Sequence, residues 1–450
     1  MPAVTEPRII PRAEHPISRA DIDKEALRIL YRLKDAGYQA YLVGGAVRDL
    51  LMGRCPKDFD VATDARPREV RRLFRNSREV GKRFRIVHVY FGPKHIEVST
   101  LRSAVDPPED PAGDRYIADD NQWGDIESDA FRRDFTINAL YYDIRDFSVI
   151  DYVGGVEDIA ARRLRCIGDP RIRFQEDPVR MLRAVKFAAR YGYRIDPAID
   201  AAIREFHQEI HKANRHRVTE EFFRILSQAN RCAGLRLLAD FQLLSELYPE
   251  WLATIGEEGL DQVAAFLAKL DEEAEQERWY SLEVLVAGLF VPMLGTVDLG
   301  RESFNPVAER VTREVRQLGL RMDLPKRLIN GAVELLRGQL YLLFFAHRES
   351  HMRRFVRSPW FDSVWRLHLL AFGELTELAG LRRAWLHCRR QLGTPIAGTV
   401  PAPDRRDIFS FRGRGGGRLH GAPDEGGPED DEEADDEGSF SEPEIVESGE

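Results

Sequence analysis

Two carboxylates stand two residues apart in Lys57-Asp58-Phe59-Asp60-Val61. Strand side chains alternate faces, so this spacing predicts that Asp58 and Asp60 project together while Phe59 packs behind them. Like charges that close repel unless a cation sits between them. A hard ion such as Mg2+, held by a few carboxylates and by phosphate oxygens, is the common resolution. Taken alone, a DxD is as readily a solvated loop pair, but two further features narrow the choice. Upstream, Tyr41–Leu51 reads as a strand, a Gly44-Gly45 turn and a helix start, where backbone N–H groups can approach a phosphate and Arg48 adds charge. Downstream, Glu97 lies in the strand-like run 95–100, opposite in facing to Ile96 and Val98, either as a third metal-side carboxylate or as an ordinary solvent-facing residue. Three carboxylates, a phosphate-binding turn and no catalytic Cys, His or P-loop indicate metal-assisted phosphoryl or nucleotidyl transfer. One ion would activate an attacking 3′-hydroxyl, and a second would stabilise charge on the α-phosphate and the pyrophosphate leaving group.

The elements that must position these residues follow from the patterning. From Tyr38 to about Val153, short β-rich runs (AYLVGG, DFDVAT, IVHVYFG, HIEVST, INALYYDI, SVIDYV) alternate with helical segments such as RPREVRRLF, which predicts a mixed α/β unit over 21–160. Residues 1–20 are polar and Pro-punctuated and read as a flexible lead-in, with the first helix beginning near Asp21. Beyond about Arg163, amphipathic stretches such as DPVRMLRAVKFAARYG, VTEEFFRILSQA and SVWRLHLLAFGEL predict helices over 161–230 and 231–399. The expected class is therefore α+β. Residues 400–450, an Arg/Gly segment followed by an acidic run, bury too little apolar surface to offset ordering entropy and are expected to be a disordered tail.

Composition sets the compartment and the partner. The hydrophobic fraction is 43%, and the chain contains neither a signal-peptide pattern nor a membrane-length apolar run. Cys55, Cys166, Cys232 and Cys388 are scattered without CxxC pairing or nearby His partners, which argues against disulfides and a zinc site and for a reducing cytoplasm. The net charge of −9 conceals a basic body: residues 424–450 carry 14 Asp/Glu and no Lys/Arg, and without them residues 1–423 stand at +5. A mildly basic body can attract a polyanion.

The runs LVGGAVRDLL, KDFDVAT, RRDFTINALYYD and EDPVRMLRAVKFAA stand in an order that resembles the class II nucleotidyltransferases, the family of tRNA CCA-adding enzymes and bacterial poly(A) polymerases. The resemblance covers roughly residues 21–230. It implies a catalytic head over 21–160, a helical neck with a nucleotide-reading helix over 161–230 and a helical RNA-binding body over 231–399. It further implies that Asp58 and Asp60 ligate two Mg2+ ions, that Arg48 and Arg133 lie near the triphosphate, and that Asp134 and Asn138 fix the nucleotide and the catalytic loop. The expected substrates are ATP and RNA 3′ ends.

The chemistry of EDPVRMLRA can also be read directly. Asp177, Arg180 and Arg183 fall at helical spacing on one side, opposite Met181, Leu182 and Val185, with Pro178 suited to the first turn. An acceptor beside a donor complements an amino group next to a bare ring nitrogen, the edge that adenine and cytosine share. Guanine and uracil present the reverse pattern. From the residues alone, Glu176 and Asp177 pairing with Arg180 within the helix is the competing reading. The resemblance favours the nucleotide-reading role, with Arg183 and Lys186 extending the basic edge toward phosphate.

Between the family's branches, Val80–Gly92, with Lys82, Arg83 and Arg85 about Phe84 and a His at 88, resembles the poly(A) polymerases more than the CCA-adding enzymes; the alternative for its three cations is a solvated loop. RRFVRSPWFDSVWRLHLL at 353–370 loosely resembles the poly(A) polymerase body. The tail departs from the family's usual basic end, and Arg412, Arg414 and Arg418 beside Phe409 and Phe411 suit either single-stranded RNA or a flexible linker. A catalytically idle RNA-binding scaffold would have lost a carboxylate or a triphosphate Arg, and none is lost. A metal-dependent phosphohydrolase would carry His/Asp pairs in the helical half, and none stands out there. The expectation is polyadenylation, with CCA or A addition to tRNA as the alternative.

Overall fold

The computed structural model describes residues 6–81, 85–103, 122–276, 278 and 280–393. Lys82, Arg83, Arg412, Arg414, Arg418 and the whole tail expected at 400–450 lie outside them. Arg8–Ile10 form strand β1, which pairs antiparallel with residues 149–151. For residues 6–20 this corrects the flexible lead-in expected over 1–20; residues 1–5 lie outside the described residues. Ile10 and Ile17 are buried, and the imidazole Nε2 of the buried His15 lies 2.9 Å from the carbonyl of Phe147. Two apolar side chains and a tethered ring are enough to hold so polar a segment down.

Helix α1 (Lys24–Asp35) opens at Asp23, whose carboxylate accepts from the N–H groups of Glu25 and Ala26, and it buries Ala26, Ile29, Leu30 and Leu33 at helical spacing. Then follow β2 (Ala40–Val43), α2 (Gly45–Leu51), β3 (Asp60–Thr63), α3 (Pro67–Leu73), β4 (Ser77–Val80), β5 (Ile86–Phe91), β6 (Lys94–Thr100), α4 (Ile126–Phe131), β7 (Leu140–Asp143) and β8 (Val149–Asp151). The sheet order is β1-β8-β7-β2-β3-β6-β5-β4. Its pairings are antiparallel except β3 with β6, which run parallel. Each of the six strand runs read in the sequence contains a strand, while the short, charged β1 and β4 were not legible. One sheet face is packed by α1, α2 and α3 through Val61, Val87, Val89, Ile96 and Val98.

The rest is largely helical. After α5 (Gly155–Ala160) come α6 (Pro170–Glu176), α7 (Val179–Tyr191), α8 (Pro197–Phe206) and α9 (Arg215–Leu226), then further helices from Arg231–Asp240 to Ala379–Gln391. Large side chains lock these later helices together. The Trp251 and Trp385 indoles, both buried, donate to the carbonyls of Leu289 and Leu342 at 3.1 and 3.0 Å. Among the described residues, no helix is long and apolar enough to cross a membrane, and the four cysteines are unbridged.

Candidate active site

Strand β3 begins at Asp60, so Asp58 sits just before it rather than on it. The expected placement of both carboxylates on the strand is thus corrected: Asp58 is exposed at the mouth of the strand and Asp60 half-buried at its start, with Phe59 buried between them. The parallel register places Glu97 of β6 directly beside Asp60. Burial first, then the charges of Glu97 and Asp58, push the Asp60 carboxyl up to about 7, against the opposing pull of Arg133. Glu97 itself is held below its ordinary range, chiefly by the His88 imidazole, 3.5 Å away on β5. Among the described residues, the carboxylates of Asp58, Asp60 and Glu97 do not converge to within 4.8 Å of one another.

Beside them is the glycine turn. Gly44 follows Val43, the residue of β2 that pairs with Asp60, and has φ 67°, in the region that favours glycine. A Cβ there would lie 3.3 Å from Arg133 Nη1, so Arg133 rests over the turn. Its guanidinium is held by Asp129 at 3.0 Å, Tyr141 at 3.0 Å and the Asn138 carbonyl at 3.1 Å. Arg48 lies against the turn, where a Cβ on Gly45 would meet its Nη2 at 3.3 Å, but its charge is already paired. It is buried, donates to Asp49 through Nε and Nη2 at 2.9 and 2.8 Å, and lies over the Tyr191 ring. The pair is neutral, and Arg48 serves to tie α2 to α7 and to the Asn138 side-chain oxygen, to which Nη1 donates.

Asn138 continues the chain of contacts, donating Nδ2 to Asp134 at 3.4 Å. Asp134 accepts from Arg183 at 2.6 Å. Burial raises the Asp134 carboxyl, but the Arg183 guanidinium and the Phe135 N–H outweigh it and hold it at about 2. Arg183 thus faces the sheet domain instead of lying open along the α7 edge. Lys186 is buried against Glu221 of α9, and burial lowers its ammonium to about 8 despite that partner.

The reading helix is also rearranged. Asp177 and Pro178 separate α6 from α7, so Asp177 closes one helix and Arg180 begins the next. Arg180 donates through Nη1 to Glu176 at 2.8 Å and to the Arg173 carbonyl at 2.9 Å, so the Glu176–Arg180 pair expected within one helix forms across the break between α6 and α7. Asp177 pairs instead with Arg217 of α9, through both oxygens at 3.1 and 2.7 Å. Arg217 was not singled out in the sequence. Its only local signal is its place in the first turn of α9, just after the Asn214 cap. Arg85 is half-exposed at the entry to β5, with Nη1 3.6 Å from Glu79.

Against known proteins, the Poly A polymerase head domain family matches residues 40–165, and the family described as "Probable RNA and SrmB- binding site of polymerase A" matches 192–254. Poly(A) polymerase I of Salmonella typhi is 44% identical over 299 residues, 65% of this chain and 64% of that protein. Over these spans the chain is similar to bacterial poly(A) polymerases. The CCA-adding enzyme of Bacillus subtilis is 38% identical over 225 residues, 50% of this chain and 55% of that one. A solved tRNA nucleotidyltransferase complexed with a primer tRNA and an incoming ATP analog shares the fold at TM-score 0.58 and 22% identity, over 82% of this chain and 100% of that one. The chain spans less than two thirds of the length of the curated relatives, 64% for the Salmonella protein.

Proposed function

We propose that this chain adds AMP from ATP to RNA 3′ ends without a template, releasing pyrophosphate. The observation that carries the reading is the pairing of Asp60 with Glu97 across β3 and β6, with Asp58 at the strand mouth, beside a glycine turn overlaid by Arg133. Hard carboxylate oxygens on the neighbouring central strands β3 and β6 suit Mg2+, and Asp58 and Asp60 would hold two ions there, with Glu97 alongside. When bound, the ions supply Lewis-acid stabilisation of the α-phosphate and acidify the attacking 3′-hydroxyl.

The chain's own groups do the rest. The Gly44 N–H donates to the Leu140 carbonyl at 3.2 Å, so Gly44 serves by letting the backbone turn without a side chain while the Gly45 amide and Arg133 receive the triphosphate, and Arg48 acts at one remove by orienting Asn138. Asp134 fixes Arg183, which spans from the sheet domain toward Glu221 of α9. Asp177 accepts from the base's amino group and Arg180 donates to the ring nitrogen, which admits adenine and cytosine and leaves guanine and uracil with unpaired polar groups. Arg217 holds the Asp177 carboxylate plane for that contact. Preference for ATP over CTP is supported by relatives named Poly(A) polymerase I at 44% identity, against 36–38% for CCA-adding enzymes. The reading includes head, neck and body units over 21–160, 161–230 and 231–399. It also includes RNA contact by Lys82, Arg83, Arg85, Arg412, Arg414 and Arg418, and a cytoplasmic setting.

The test is extension of an unstructured RNA by the purified full chain with each nucleoside triphosphate in turn. Long A-tracts with ATP, poor use of CTP and rejection of GTP and UTP are expected. Growth that stops after completing CCA on a truncated tRNA, with CTP required, would replace this reading with the CCA-adding one.

A further inference from the structure

Glu97 has neighbours that the transfer chemistry does not use. Residues alternate faces along β5 and β6, and the face opposite the apolar Val87, Val89, Ile96 and Val98 carries His88, His95 and Glu97. His88 stands directly across from Glu97 in the antiparallel register, and His95 precedes Glu97 by two residues on the same strand. The two imidazoles stack, with centroids 4.3 Å apart and planes 18° from parallel. One ligand atom from each of the three residues lies within 4.8 Å of the others, and among the described residues no other group of three or more His, Cys, Asp or Glu side chains does so.

We propose that His88, His95 and Glu97 form a binding site for a borderline divalent transition metal of the zinc class, distinct from the Mg2+ chemistry at Asp58 and Asp60. Three arguments converge. The donor set is two imidazoles and one carboxylate, which suits zinc-class ions and not Mg2+, whose preference is for oxygen. The His88 Nε2 to Glu97 Oε1 separation is 3.5 Å, beyond a good hydrogen bond but close to the donor–donor edge of about 3.4 Å implied by tetrahedral zinc with bonds of about 2.0–2.1 Å. The buried His88 Nε2 makes no hydrogen bond of good geometry and has only the Glu97 carboxylate at 3.5 Å, a gap that an ion bonded to both would fill. Strands in a fixed register position all three donors without loop rearrangement.

The site shares Glu97 with the carboxylate pair, so its occupation draws Glu97 away from Asp60. Zinc then antagonises nucleotidyl transfer at constant Mg2+, a consequence that rests on the function proposed above. The metal site itself does not.

Metal binding to the full chain is read without nucleotide or RNA, by the visible absorption of tetrahedral Co2+ and its displacement by Zn2+. Wild type should give the cobalt bands. His88→Ala and His95→Ala should each weaken cobalt binding at least about tenfold, the scale on which ligand-shell changes act. Asp58→Asn should keep the bands. In a transfer assay at fixed Mg2+, His95→Ala should retain basal extension and lose zinc inhibition. Absence of cobalt bands in wild type, undiminished bands in both histidine variants, or bands lost in Asp58→Asn but kept in His95→Ala would each overturn the proposal. Because the optical assay needs no turnover, an inactive but cobalt-binding chain would sink the proposed function and leave the metal site standing.

Discussion

Arg217 grips Asp177 through both carboxylate oxygens, at 3.1 and 2.7 Å, and so joins the first turn of α9 to the residue that closes α6. A planar guanidinium fixes the plane of the carboxylate it binds, which a single-point partner cannot do. The orientation of the proposed base-reading acceptor is therefore set by a helix forty residues farther along the chain.

Loss of that grip should blur nucleotide choice. In Arg217→Ala, discrimination of ATP against UTP, measured as a ratio of kcat/KM, should fall by about tenfold to a hundredfold, the scale on which misplacement of a positioning group acts. Arg217→Lys should recover only part of it. Unchanged ratios in both variants would remove Arg217 from the reading of the base.

Asp58→Asn and Asp60→Asn should each lower RNA extension at saturating Mg2+ by about a hundredfold to a thousandfold or more. RNA affinity should be retained, because neither residue is part of the basic surface. Normal extension rates in both variants would defeat the two-ion reading.

Gly44 lies at φ 67°, and a methyl group there would meet Arg133 Nη1 at 3.3 Å. Gly44→Ala should cost about 1–2 kcal/mol of stability from backbone strain alone. It should also raise KM for ATP by displacing Arg133. A melting curve and a nucleotide titration separate the two effects; a stable variant with unaltered KM would show that the turn does not approach the triphosphate.

Asp129 and Asp134 contribute a defined pH window. For Asp129, burial is outweighed by Arg133, Arg132 and the Tyr141 hydroxyl, which hold it at about 2, and Asp134 is held at about 2 beside Arg183. Their folded pKa values lie below the unfolded value of about 3.9, so the stabilisation is complete above about pH 4 and is lost as pH falls from there toward 2. Denaturant unfolding at pH 6 and pH 3 should show the loss. Asp134→Asn should flatten part of it, and should cost about 2–3 kcal/mol at neutral pH by leaving Arg183 only the more distant Glu221 carboxylate, 3.9 Å away.

How far the sequence carried this depended on the range of each interaction. The alternation of strand side chains foretold the inner packing of Ile96 and Val98, and the facing of Glu97 follows from it. The Gly-Gly turn was legible because φ at Gly44 is a local demand. How Arg48 is held was not legible, because beside its neighbour Asp49 its partner is Tyr191, 143 residues away, a contact that no spacing rule contains. The break at Asp177 could have been seen, since a residue before proline is driven out of helical conformation. The N-terminal strand was hidden by its brevity: three residues with a partner at 149–151 leave no periodicity to read.

That N-terminal strand also sets an order on assembly. During synthesis Arg8–Ile10 emerge among the first residues, yet the strand they pair with is not made until residue 151. Glu97, likewise, reaches Asp60 only after β4 and β5 have turned back, because parallel neighbours require a crossover. Loop closures of this span are slow steps in folding. Strands β4, β5 and β6 can thus pair locally as soon as residue 100 is made, whereas β1 has no partner until β8 follows it.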